Sequence, residues 1–203
     1  MPRRPGALLA TLLLGAGVAL AGCNSSTTQS VADAARAGDN KGFVAGDGTV
    51  EQLPASRRQQ PLALSGTTVT GARWSMAADG AGKVVVVNVW GVWCPPCIEE
   101  LPHLQSAWAS YEKAGAPVAF IGVDTRDQPV TAAAFLASRK VTYPSISDQG
   151  SGGQPLLALQ GRATTTPTTL VLDRQGRIAA RVLGGTTEST LTALIDDVLA
   201  EKA

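Results

Sequence analysis

The chain of 203 residues has room for one folded domain plus a leader. A net charge of +1 with 16% charged residues offers no surface for nucleic acid or for acidic ligands. The 44% hydrophobic content is raised by an apolar leader and by many alanines, so the remainder reads as an ordinary soluble globule.

Residues 1–22 read as a targeting segment: Arg3 and Arg4 form a positive start, and Ala7 to Leu20 is almost unbroken apolar sequence. That run is shorter than the roughly 20 residues a spanning helix needs. Leu20-Ala21-Gly22-Cys23 resembles a bacterial lipobox, in which the cysteine is lipidated and becomes the first mature residue. Two or more acyl chains on Cys23 suffice for stable anchoring, where one is marginal. An uncleaved anchor or a plain signal peptide is the alternative, and the export route stays open.

Asn24 to Lys41 is rich in Ser, Thr, Ala and Asp without periodicity, which predicts a flexible tether. Gly42 to Leu53 carries two turn signals around short apolar pieces, and either adds an edge strand or covers the domain. Pro54 to Pro61, with Arg57 and Arg58, reads as a surface connection. Thr67 to Arg73 alternates β-branched and small residues and predicts a short strand.

Val84 to Trp90 is an apolar, β-branched run of the kind buried in a parallel sheet. Gly91 breaks it, and Trp93-Cys94-Pro95-Pro96-Cys97 follows. A helix over Pro95 to Tyr111 is expected, since proline is well tolerated in a first turn. Its core face reads Ile98, Leu101, Leu104, Trp108 and Tyr111, with a kink at Pro102. Val118 to Val123 is the next strand, and Asp124-Thr125-Arg126-Asp127 after it stands at a strand's C-terminal end, the usual ligand edge, but reads as loop charges. A helix over Val130 to Arg139, a brief extended piece in Tyr143 to Asp148 and a helical turn in Pro155 to Gln160 follow. Thr168 to Leu172 and Arg177 to Leu183 form a hairpin, and a last helix starts near Thr186 or Thr187, with Leu191, Leu194, Ile195, Val198 and Leu199 inward.

The chemistry is concentrated at the two cysteines. A thiol at a helix N-terminus meets a partial positive charge and unpaired N–H groups, which favour thiolate. Cys94 is therefore the expected nucleophile, stabilised and exposed, and Cys97 one turn on is the resolving thiol. With Cys23 assigned to lipid, no other cysteine remains for a structural disulfide. His103 is the only histidine, so a four-ligand zinc site within the chain is not expected; no metal and no cofactor is required. Pro95 and Pro96 each remove an N–H that could point at the Cys94 sulfur. The Cys97 N–H is then among the few donors left, the thiolate is less stabilised, and the couple is more reducing.

The stretch from Gly82 through Cys97, with Glu100 and Pro102 beyond, is similar to the TlpA/ResA-like branch of the thioredoxin superfamily, from about Gly66 to the C-terminus. The resemblance implies an α/β, thioredoxin-like fold: a mixed central sheet flanked by helices, with an N-terminal extension. The organisation expected is a leader at 1–22, tether and extension at 23–60, and the thioredoxin-like domain at 61–203. It also implies that Glu100 lies beside the thiols and influences their protonation, against the alternative of a solvated first-turn glutamate, the reading favoured for Glu99. Asn88 stands where thioredoxins proper carry a buried acid, or is simply bonded to backbone. Thr166-Pro167 matches the family's cis-proline loop, with the Thr166 backbone free to pair with a substrate. Trp93 is expected as a contact surface and Trp90 in the core, while His103 reads as a surface residue.

The family implies a lipid-anchored extracytoplasmic thiol-disulfide reductase. Its substrate would be a disulfide-containing protein, apocytochrome c by resemblance, with electrons from a membrane donor of the CcdA/DsbD type. An oxidase or isomerase of exported proteins is the alternative on the same fold. A copper-delivery module combines wider cysteine spacing with a distant histidine, and a thiol peroxidase needs a Thr-x-x-Cys context; both patterns are missing around Cys94.

Overall fold

The structure, a computed structural model, describes residues 43–45 and 48–201. The leader, Cys23 and the tether over 24–41 lie outside the described residues. The strands are β1 (Phe43–Ala45), β2 (Gly48–Gln52), β3 (Ser65–Thr67), β4 (Arg73–Ser75), β5 (Val84–Trp90), β6 (Val118–Asp124), β7 (Ser145–Ser147), β8 (Thr168–Leu172) and β9 (Ile178–Leu183). The helices are α1 (Met76–Asp79), α2 (Pro95–Ala114), α3 (Pro129–Ser138), α4 (Gln154–Leu157) and α5 (Glu188–Leu199).

Seven strands form one mixed sheet in the order β1-β2-β9-β8-β5-β6-β7, while β3 and β4 make a separate hairpin. The pairs β5/β6 and β6/β7 are parallel, and β5/β8, β8/β9, β9/β2 and β2/β1 are antiparallel. Parallel neighbours require crossovers, which α2 and α3 supply. Every residue of β5, β6 and β8 is buried, as their near-continuous apolar composition requires for strands covered on both faces.

The strand period of two divides the core. Val84, Val86 and Trp90 of β5 face one apolar layer with Leu101 and Leu104 of α2, Leu136 of α3 and Leu191, Leu194 and Ile195 of α5. Val85, Val87 and Val89 face the other, with Ile121, Leu170, Ile146, Leu159, Leu64 and Trp74. Burying a side chain of this size contributes about 1.5–3 kcal/mol, so these two layers dominate folding. Asn88 alternates onto the α2 side, which sets the geometry of the site.

Of the two readings of Gly42 to Leu53, the edge strand is the one found: β2 pairs with β9, so part of the N-terminal extension joins the main sheet. Three other expectations change. Thr67 to Arg73 is not one strand but the turn between β3 and β4: Gly71 sits at φ 89°, which favours glycine, and the Thr68 hydroxyl accepts the Ala72 N–H at 3.0 Å. In the 54–61 connection the Arg58 side chain is only 3% exposed, because it bridges Asp173 at the β8–β9 turn and Glu201 after α5. On α2 the buried residues are Cys97, Glu100, Leu101, Leu104 and Ala107 rather than Ile98, so the inward face is rotated toward Glu100. The helix continues as one element through Pro102. Among the described residues, no helix is long and apolar enough to cross a membrane.

Candidate active site

The approach to the cysteines is shaped by Gly91. A Cβ there would run into the Trp93 indole, so only glycine lets that ring fold back across the turn. The indole N–H donates to the Thr125 carbonyl at 2.8 Å, yet Trp93 stays 44% exposed beside the cysteines. Trp90, in the core, donates from its indole to the Ser145 hydroxyl at 2.8 Å. Gly122 makes that bond possible, since a Cβ would collide with both partners.

Cys94 is the N-cap of α2, in extended conformation at φ −105° and ψ 100°, with Pro95 and Pro96 as the first helical residues. Neither proline can donate, and the Cys97 N–H points at the Cys94 sulfur at 3.3 Å. Cys94 and Cys97 are joined by a disulfide, with their Cα atoms 5.3 Å apart. The exposed Cys94 expected from the sequence is not found in this bonded form. Cys94 is 2% and Cys97 0% exposed, both within the apolar layer beneath α2. Pro95 and Pro96 stay exposed around them.

Glu100, one turn after Cys97, is 2% exposed, so the solvated alternative does not apply. One carboxylate oxygen accepts from the Asn88 side-chain amide at 2.8 Å, the other from the Thr186 backbone N–H at 3.1 Å. Burial pushes the carboxyl up to about 8 against these two bonds, which favour the charged form. Asn88 is therefore not bonded to backbone: its amide also reaches the Thr169 hydroxyl at 3.3 Å, leaving its own oxygen without a partner. The Tyr143 hydroxyl is also buried and unpartnered; burial and the nearby Glu100 charge raise it. Glu100 opens onto a cleft of about 230 Å³ whose wall includes Pro96, Glu99, His103 and Thr187. Glu99 and His103 are exposed.

The Thr166-Pro167 peptide is cis, with Pro167 buried just before β8 and Thr166 half-buried. Sequence reasoning gives no site role to Thr186, Tyr143 or Ser145, and it reads Asp124 as a loop charge, whereas the structure buries it at the end of β6. Only Asp124 carried a signal, its position at a strand's C-terminal end. Among the described residues, no group of three or more His, Cys, Asp or Glu is placed to hold a metal ion.

Residues 59–181 match the AhpC/TSA family. The chain is 34% identical over 123 residues to the thiol:disulfide interchange protein HelX of Rhodobacter capsulatus, covering 60% of this chain and 64% of that one. It is 28% identical over 115 residues to the thiol-disulfide oxidoreductase ResA of Halalkalibacterium halodurans, covering 57% and 62%. It thus spans less than two thirds of the length of these curated relatives. Among solved structures it is similar to a secreted thiol-disulfide isomerase from Corynebacterium glutamicum, at a TM-score of 0.65 and 28% identity over 78% of this chain and 97% of that one. A DsbF homologue from Corynebacterium diphtheriae superposes at 0.61 with 32% identity, covering 76% and 96%. With its mixed sheet flanked by helices and its Cys-Pro-Pro-Cys helix tip, the chain has a thioredoxin-like fold, is similar to these thiol-disulfide oxidoreductases, and belongs to the AhpC/TSA family.

Proposed function

We propose that the protein is an extracytoplasmic thiol-disulfide reductase, lipid-anchored through Cys23, that reduces disulfides of exported proteins. The observation that carries this reading is the Cys94–Cys97 bond at the tip of α2, with the Cys97 N–H on the Cys94 sulfur and two prolines where other donors would stand. In the reduced protein the Cys94 thiolate attacks one sulfur of the substrate disulfide. A mixed disulfide forms and one substrate thiolate leaves, taking up a proton. Cys97 then gives up its proton, attacks the Cys94 sulfur, and expels the second substrate thiol. The enzyme pair loses two electrons and the substrate gains them. Glu100, three residues along the same helix face, is the group suited to exchange a proton with Cys97, since burial pushes its carboxyl up to about 8, and its ionised form, the one able to accept a proton, grows as pH rises toward that value. The Thr166 backbone, ahead of Pro167, is suited to pair with an extended substrate segment.

Apocytochrome c is the substrate favoured by the ResA-like sequence, since its Cys-x-x-Cys-His thiols must be reduced before haem attachment. A membrane donor of the CcdA/DsbD type would return electrons to the pair. A second reading, an isomerase of exported proteins, is favoured by the likeness to a secreted thiol-disulfide isomerase. The redox potential separates the two. A reductase is expected near thioredoxin's value of about −270 mV, an isomerase near about −180 mV, and a strong oxidase near about −120 mV. A potential at the oxidising end overturns the reductase reading.

A further inference from the structure

The run from Asp124 to Asp127 holds a carboxyl group that the exchange mechanism does not use. Asp124 closes β6, in register with Trp90 on β5. Its side chain is 0% exposed, and neither of its oxygens receives an N–H or O–H donor. The groups facing it are Asp127, in the loop that leads into α3, and Asp148, just after β7. Trp90 on the β5 side is neutral, and the charges acting on Asp124 are both carboxylates. A carboxylate enclosed without donors or a cation is costly. Adjacent carboxyls relieve that cost by sharing one proton, with the Asp124 O–H donating to the Asp127 carboxylate. Burial, followed by Asp127 and Asp148, accordingly pushes Asp124 up to about 8.

The same loop grips the turn that delivers Cys94. Asp127 accepts the Val92 N–H at 2.6 Å. The Thr125 carbonyl accepts the Trp93 indole, and the Thr125 N–H and hydroxyl both donate to the Trp90 carbonyl, at 3.0 and 3.2 Å. The Arg126 guanidinium lies 4.7 Å over the Trp93 ring. Asp124 is held in the sheet, whereas Asp127 sits in the loop, so repulsion between two ionised carboxylates moves the loop rather than the strand.

We propose that Asp124 is a positioning residue for Cys94: protonated, it holds Asp127 against the Val92 N–H and fixes the 91–93 turn, and its ionisation releases that turn. The functional half of this statement rests on the exchange reading above; the structural half does not. The test uses the full protein in a Glu100→Gln background, so that the other carboxyl titrating near the same pH is removed. In the disulfide form, tryptophan fluorescence is followed from about pH 6 to about pH 10. An inflection near pH 8 is expected, and Asp124→Asn, which keeps a permanent donor toward Asp127, abolishes it. Should that variant fail to fold, Asp127→Asn keeps the acceptor for Val92 and removes the neighbouring charge, and the inflection moves down by about one pH unit. In the reduced form, the rate of exchange with a small aromatic disulfide is measured per thiolate, with the thiolate fraction taken from ultraviolet absorbance. It is expected to fall about threefold through the same range with Asp124 present and to stay level in Asp124→Asn. No fluorescence inflection, or the same inflection in Asp124→Asn, overturns the proposal. A protein whose cysteines exchange at no pH overturns the reductase reading instead, while the fluorescence still decides the carboxyl pair.

Discussion

Glu100→Gln isolates the cost of enclosing a carboxylate under α2. The carboxyl moves from an ordinary 4.5 to about 8, chiefly through burial. At about 1.36 kcal/mol per pH unit, its ionised form is disfavoured in the folded protein by on the order of 5 kcal/mol. Below 4.5 the group is protonated in both folded and unfolded chains, and its titration adds nothing to the pH dependence. From there to about 8 the folded chain retains the proton that the unfolded chain has lost, so stability falls as pH rises, then levels off above the folded value. Glutamine removes this dependence while staying close in shape. Its oxygen can accept the Thr186 N–H, and its amide can donate to the unpartnered Asn88 oxygen once that side chain turns over. The assay is urea unfolding of both proteins with the disulfide intact, from about pH 5 to about pH 9. The advantage of the glutamine protein should grow through this range by on the order of 4 kcal/mol, a large part of the roughly 5–15 kcal/mol typical of a domain. Parallel stability–pH curves would show that Glu100 titrates as a surface carboxylate, and the argument for its role would fail.

Arg58→Ala should cost about 3 kcal/mol in urea unfolding, because it strips a bridging cation from the buried Asp173 carboxylate. Burial works against the charge of Asp173, yet bonds from Arg177 and Arg58 hold it below its ordinary 3.8. That contribution is present above 3.8 and is lost as pH falls through the lower folded value, so the cost of Arg58→Ala should shrink in strong acid. Gly122→Ala pushes a methyl into Ser145 and Trp90, and is expected to cost about 1–3 kcal/mol and shift Trp90 emission to the red; an unchanged spectrum would refute the close approach.

What the sequence made legible was local. The β5 run, the break at Gly91 and the prolines after Cys94 are neighbours in the chain, so their geometry follows from propensity and spacing. Glu100 was readable because it lies one helical turn from Cys97. Its bonding partners were not: Asn88 comes from β5, and Thr186 arrives from the loop before α5, 86 residues away. Nothing in a threonine announces that its backbone N–H will meet a carboxylate. Asp124 failed for the opposite reason. Four polar residues after a strand look solvated, and only the fold brings Asp148 and Asp127 around the first of them. Arg58 likewise looked like a surface charge until the β8–β9 turn and the chain beyond α5 closed over it. The rotation of α2 away from Ile98 has the same root, since apolar periodicity counts Glu100 as polar and cannot foresee its enclosure.

The margins of the sheet carry a last consequence. Its two outermost strands, β1 and β7, are each three residues long. So short a rail gives a visiting strand few backbone partners, which discourages both fibre-like stacking and lasting adhesion. Under the function proposed above, a client would make contact near the helix tip, through small patches such as Trp93 and the cis-proline loop, and then depart. Weak lateral grip at the margins would then favour release of the product.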